Sequence, residues 1–181
     1  AAIDFIEQLD SENRFEDTVV FSQQVIKGAP GKVYPYYKMS IALEALGRID
    51  EAVEGYEKIK ILFSDFPPAY FRLQGIYKYD KGDISKAKDE LNAFRDTLAK
   101  VDPQVQKEIQ SSIIQESFLL GSYYLNISRQ MDKAIKEFSM ILKLSPEKLE
   151  VKYNLATSYA NKGIIEKNKD VYRKGLELLE E

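Results

Sequence analysis

Cysteine, histidine and tryptophan are all missing from this chain of 181 residues. Without imidazole or thiolate there is no zinc site of the usual kind and no cysteine nucleophile. The triads that depend on a histidine base are excluded as well. No disulfide can form, so cysteine usage says nothing about redox compartment. Carboxylates, Lys, Tyr and Ser are what remain for chemistry. An excess of one charge is lacking too: 26 Lys plus Arg stand against 29 Asp plus Glu, a net charge of -3 scattered evenly. Nucleic-acid binding needs a concentrated basic face, and no such block occurs. No apolar run approaches the ~20 residues of a membrane helix. The start, Ala1-Ala2-Ile3-Asp4, lacks Met and a signal-like segment, which points to a trimmed or processed terminus and leaves the compartment unknown.

What is present is a chain 44% hydrophobic and 30% charged, too apolar for disorder. Its 6 prolines and 9 glycines fall at intervals. Between them, apolar residues recur every three or four positions. Tyr36, Met39, Ser40 and Leu43 lead to Gly47, and Ala52, Tyr56, Ile59 and Leu62 follow. That spacing predicts two amphipathic helices joined by a short turn. Gly47 suits the left-handed residue after a helix C-terminus. Asp50 is placed to cap the second helix. No segment alternates at period two for long, so the fold is read as all-α.

The unit repeats. Gly47-Arg48-Ile49-Asp50-Glu51-Ala52 matches Gly82-Asp83-Ile84-Ser85-Lys86-Ala87, 35 residues on, and Arg14-Phe15-Glu16-Asp17-Thr18 precedes it by 34. Arg129-Gln130-Met131-Asp132-Lys133-Ala134 supplies a fourth copy. A fifth, weaker one runs through Leu155-Ala156-Thr157-Ser158-Tyr159, with Gly163 as its turn glycine. Pro30, Pro67 and Pro146 close units where a helix cannot continue. A two-helix repeat near 34 residues indicates a superhelical solenoid.

These residues resemble the tetratricopeptide repeat family. The clearest copy is Leu120-Gly121-Ser122-Tyr123-Tyr124, then Ala134-Ile135, Phe138, Ile141 and Pro146. Tyr36, Ser40, Gly47, Ala52 and Tyr56 carry it in copy two, and Phe71, Gly75, Gly82 and Ala87 in copy three. The resemblance covers essentially the whole chain. It implies a right-handed superhelical solenoid of about five repeats, near 1–32, 33–67, 68–102, 103–147 and 148–181, in a single domain 1–181. Small residues such as Ser40, Gly75, Gly121, Ala52, Ala134 and Ala156 let the paired helices approach, so the signature residues read as packing.

Two departures stand out. Ala87 to Ala134 spans 47 residues, some 13 beyond one repeat, or about three and a half helical turns. Ile84–Lys100 and Gln104–Asn126 are both helix-compatible, which predicts a lengthened hairpin at the third/fourth junction. It is a protruding contact surface or a tolerated insertion. Near the end, about seven extra residues (164–170) precede a helix with Val171, Gly175, Leu178 and Leu179. That stripe is exposed, dimer-forming, or covered by further sequence.

No catalytic constellation is found, so no enzyme activity, cofactor or metal is expected. Glu16-Asp17 lies on a solvated face, Gly47 and Gly82 are turn residues, and Asn126-Ile127-Ser128 is a chance-level sequon. The resemblance implies a concave groove, lined by the first helix of each repeat, that holds a partner's peptide or helix. Carried over copy by copy, it offers Tyr34, Tyr37, Ile41 and Glu44, then Arg72, Ile76 and Tyr79, then Asn126, and finally Tyr153 and Asn161. In copy three, Tyr70-Leu73-Tyr77 competes with Phe71-Gly75 for the inward face. Tyrosine, 12 in all, is the conspicuous component, suited to interfaces but equally to packing. Repeats that clamp a chaperone's C-terminal carboxylate carry Lys, Asn and Arg where this chain has Tyr37, Ile41, Arg72 and Ile76. The basic clamp is missing, and an apolar or mixed-polarity segment is the expected ligand. The partner is thus a protein or peptide, with no nucleic acid and no membrane span. The alternative is a structural segment of a larger assembly or homo-oligomer that stacks through its terminal helix and long hairpin.

Overall fold

The computed structural model describes residues 2–180; Ala1 and Glu181, the limits of the expected 1–181 domain, lie outside the described residues. All the regular structure among them is helical. The helices are α1 (Ala2–Ser11), α2 (Phe15–Gly28), α3 (Val33–Ala45), α4 (Ile49–Leu62) and α5 (Pro67–Gly75), which continues as a π-helical turn (Ile76–Asp80). They are followed by α6 (Ile84–Leu98), α7 (Pro103–Asn126), α8 (Met131–Leu144), α9 (Leu149–Ile165) and α10 (Lys169–Glu180). The chain forms two compact units, Ala1–Asp102 and Pro103–Glu181. In each, consecutive helices pack on one another as helix-turn-helix pairs.

The turns inside the pairs share one backbone solution. Asn13, Gly47, Gly82, Arg129 and Lys167 have φ of 57°, 79°, 66°, 57° and 52°. The next amide then reaches back over the turn: Arg14 to the Leu9 carbonyl, Arg48 to Leu43 and Asn168 to Gly163, at 2.9, 2.9 and 2.8 Å. This left-handed closure satisfies carbonyls that the helix end would otherwise leave free. Gly47 and Gly82 sit where expected. The fifth turn residue, however, is Lys167 and not Gly163. Gly163 lies inside α9, where a Cβ would stand 2.4 Å from the Tyr172 backbone nitrogen of α10. Its job is close helix approach, and the extra residues of the last pair lengthen α9 to 17.

Asp50 also departs from expectation. Helix α4 begins at Ile49, its cap position is Arg48, and no side chain caps it. Asp50 instead accepts from Lys81 at 2.5 Å. The same tie recurs: the acid three residues past the left-handed position meets a base of the following pair. Glu16 meets Arg48 at 3.5 Å, and Asp132 meets Lys162. At the third turn this acid position is Ser85.

Turns between pairs recur as well. Ala29, Phe63 and Ser145 adopt φ near -140° to -145° with ψ of 64° to 80°, and each amide bonds the carbonyl four residues back. The turn after α6 differs: Ala99 stays helical, with φ -64° and ψ -16°. Pro103 then opens α7, where its missing N–H costs nothing. The lengthening expected of both helices here falls on α7, 24 residues against 15 in α6.

The small residues act as expected in packing. A Cβ on Gly121 would stand 2.8 Å from the Phe138 ring, and one on Gly175 would stand 2.7 Å from the Ala156 carbonyl. Ser40 meets Gly55 at a comparable approach.

Candidate partner-binding site

Helix α3 of unit 1 is apolar nearly all round, so it buries more than one face. Tyr37, Ile41, Glu44, Arg72 and Ile76 are therefore interior residues, each 5% exposed or less. The Tyr37 ring packs on Tyr56 and Phe66, with centroids 6.1 and 5.2 Å apart. Glu44 and Arg72 form a buried two-pronged pair: Nε donates to Oε1 and Nη2 to Oε2, both at 2.8 Å. The Tyr56 hydroxyl donates to the same carboxylate at 2.7 Å. Burial first, then the charge of Glu44, pushes the Tyr56 phenol well above its usual range. These groups hold successive helix pairs together and are closed to a ligand. The clue in the sequence was the one acid of α3 and the one base of α5, each among mostly apolar neighbours.

The arrangement repeats one pair earlier. Lys38 Nζ lies 3.2 Å from Asp10 Oδ2, Thr18 donates to Asp10 Oδ1 at 2.8 Å, and Lys38 also covers the Tyr34 ring. Tyr34 is half-buried and its hydroxyl donates to Glu7 at 2.8 Å. Tyr79 is half-buried beneath Lys78, 4.9 Å from the ring centre. In copy three, Phe71 faces α6, its ring 5.2 Å from Phe94, while Tyr70 stays half-buried. Leu73 and Tyr77 are buried as well, so this helix covers both of the faces that compete for the inward register.

A second polar cluster joins α4 to α6. Lys60 Nζ sits 2.6 Å from Glu90 Oε1 and 3.1 Å from Glu57 Oε2, above the Tyr70 ring. Tyr77, on the π-helical turn, donates to Glu57 at 3.4 Å. Burial raises the Glu90 carboxyl, against the pull of Lys60. Burial opposes the charge on Lys60, but its hydrogen bonds to Glu90 and Glu57 outweigh it and hold the ammonium above its usual value. Glu90 Oε2 is buried with no hydrogen-bond partner.

Unit 2 carries an open groove. Because α8 spans only 14 residues, the first turns of the 24-residue α7 run past it. Between those turns and the start of α9 lies a groove of about 650 Å³. Lys107, Gln110, Ser111, Ile114, Gln115 and Phe118 form its α7 wall, and Ser145 with residues 147–151 forms the other. Phe118 is held by Phe138, centroids 6.0 Å apart, and Leu149 is 77% exposed. Of the unit-2 residues expected at a site, Asn126 is exposed at the end of α7, Tyr153 is 62% exposed on α9, and Asn161 is half-buried on α9. None of the three lines the groove. The wall residues 107–115 belong to the inserted turns, and a copy-by-copy transfer has no template for them.

No three acidic residues gather to hold a metal ion among the described residues, and none of their helices is long and apolar enough to cross a membrane.

Residues 36–65, the α3–α4 pair, match the tetratricopeptide repeat family model. Among solved structures, MamA AMB-1 is similar at 24% identity, with 99% of this chain and 98% of that chain covered and a TM-score of 0.47. MamA MSR-1 is also 24% identical, over 99% of this chain and 95% of that one, with a TM-score of 0.45. A further MamA crystal structure is 20% identical over 99% and 90%, with a TM-score of 0.43. No curated protein matches the chain.

Proposed function

We propose that this tetratricopeptide-repeat chain, in general terms a protein-interaction scaffold, captures a segment of a partner protein along the faces of its first helices, with the open groove of unit 2 as the principal contact. The groove carries the reading: a concave site of about 650 Å³ is the size of a binding pocket, and it presents apolar side chains beside polar ones. Tyr153 and Asn161 of α9 and Asn126 of α7 are further accessible candidates in unit 2, and the half-buried Tyr34 and Tyr79 are candidates in unit 1. Tyr37, Ile41, Glu44, Arg72 and Ile76 contribute by holding helix pairs in place. The Arg72 guanidinium, already matched to Glu44, leaves no charge for a partner's carboxylate, in keeping with the missing clamp. The reading assigns no catalytic step to any side chain.

Selection of displayed random peptides on the immobilised chain tests it. Enrichment of a peptide family whose binding falls at least tenfold in a Phe118→Ala/Tyr153→Ala variant, with helical circular dichroism intact, is the expected outcome. A failure to enrich any family over repeated rounds would count against the scaffold reading.

A second reading, self-association, is favoured by α10, where Tyr172, Leu176 and Leu179 are 39%, 44% and 53% exposed. Light scattering decides it: a mass that stays monomeric at high concentration excludes it, and a mass that doubles in wild type but not in Leu176→Ser/Leu179→Ser supports it.

A further inference from the structure

We infer that α10 pairs with α10 of a second copy of this chain, antiparallel across a two-fold axis. This deepens the self-association reading and rests on it.

The apolar stripe comes first. Helix α10 has 12 residues, so it is about 18 Å long. Its inward side is fixed by Gly175, which lies against the Ala156 carbonyl and the Ala160 nitrogen of α9. Val171 and Leu178 are half-buried on that side. Tyr172, Leu176 and Leu179 stand on the flank instead, at the i, i+4, i+7 spacing of one helix face. All three remain exposed.

Charge names the occupant. The row next to the stripe reads Lys169, Arg173, Glu177, Glu180, with both bases at the start of the helix and both acids at its end. Arg173 lies 3.6 Å from the exposed Asp170, and Lys174, on the other side of the helix, covers the Tyr159 ring. Among the described residues, Lys169, Glu177 and Glu180 have no hydrogen-bonding or ionic partner.

The physics of a lone helix argues for the opposite order. The helix dipole favours acids in the first turn and bases in the last. A base four residues before an acid, as in Arg173–Glu177, is also the weaker orientation of such a pair. The order of this row therefore gains little within the helix, and it suits a contact outside it.

Two copies of the row side by side and parallel would set like charge on like, which costs affinity. Turned antiparallel, Lys169 meets Glu180 of the other copy, and Arg173 meets its Glu177. Tyr172 then lies on Leu179 of the other copy, and the two Leu176 side chains meet at the axis. Such a contact is self-complementary, forms every interaction twice and closes at two copies. A helix of this length makes a small contact, at the weak and transient end of interfaces, so the test runs at millimolar chain.

The full chain is examined by sedimentation velocity, with circular dichroism confirming that each variant keeps its helix content. Lys169→Glu/Arg173→Glu and Glu177→Lys/Glu180→Lys are each expected to weaken self-association at least tenfold. An equimolar mixture of the two should recover it to within threefold of wild type, because each carries the complement of the other. The chain has no cysteine, so introduced thiols report the axis without interference. Leu176→Cys alone, and Lys169→Cys mixed with Glu180→Cys, should cross-link under mild oxidation at least fivefold faster than Lys169→Cys alone. A dimer indifferent to both charge reversals, a mixture no tighter than either variant, or fastest cross-linking by Lys169→Cys alone overturns the antiparallel pairing and leaves self-association standing. A mass that stays monomeric at millimolar chain leaves this face to another occupant and removes both.

Discussion

Unit 1 and unit 2 are built from the same helix-turn-helix element, yet they spend their polar residues differently. In unit 1, Asp10–Lys38 and Glu44–Arg72 are turned inward and knit successive pairs together. In unit 2, Gln110, Ser111 and Gln115 are turned toward an open groove, while Gly163 and Gly175 bring α9 and α10 into close backbone contact and Gly121 lies against the Phe138 ring. Polar groups paired across helices, as at Glu44–Arg72, brace the fold. On the scaffold reading proposed above, those that face a concave surface meet a partner.

The comparison breaks most sharply at the buried pair. Arg72→Met leaves Glu44 as an uncompensated buried carboxylate, a loss on the order of 3–5 kcal/mol by analogy with other broken buried pairs. Urea unfolding should show it, and Glu44→Leu added to Arg72→Met should recover a large part. Recovery would separate the cost of an unpaired charge from the worth of the pair.

Unit 2 should instead be sensitive to added volume. Gly175→Ala and Gly163→Ala press a methyl against backbone atoms of α9 and α10, which cannot swing away as a side chain would. Each should cost about 1–3 kcal/mol and release α10 first, read as early hydrogen exchange of its amides.

Glu90 gives a smaller, pH-dependent effect. Its folded carboxyl titrates above the unfolded value near 4.5. The folded state therefore holds this proton more tightly, and the stability it adds is full below 4.5 and drains as pH rises through the folded value. Glu90→Gln should equal wild type at pH 4 and exceed it at pH 7 in urea midpoint. A variant less stable at pH 7 would show that Lys60 depends on the carboxylate more than burial opposes it. Smallest of all, Asp50→Asn at the exposed Lys81 contact should leave the midpoint within experimental scatter, as exposed ion pairs generally do.

Much of this was legible from residue spacing. The helical period, the left-handed Gly47 and Gly82, and the close approach at Gly121 follow from rules that act within a few residues. Gly163 was misplaced because a glycine in a turn and a glycine under a neighbouring helix look alike until the partner, Tyr172, is known. The groove residues were partly misassigned for a similar reason. Transfer by register treats each first helix as having one free face, but α3 is covered on more than one side, so Tyr37 and Ile41 point into the core. The opposite error hid Gln110 and Gln115, which stand on turns that an ordinary repeat does not have.

The proposal that unit 2 recognises and unit 1 supports is met most directly by calorimetric titration of one peptide from the display selection into three proteins: wild type, Phe118→Ala and Tyr34→Ala. The account predicts at least a tenfold weaker Kd for Phe118→Ala and a change below twofold for Tyr34→Ala. A loss of binding confined to Tyr34→Ala, with Phe118→Ala unaffected, would contradict it.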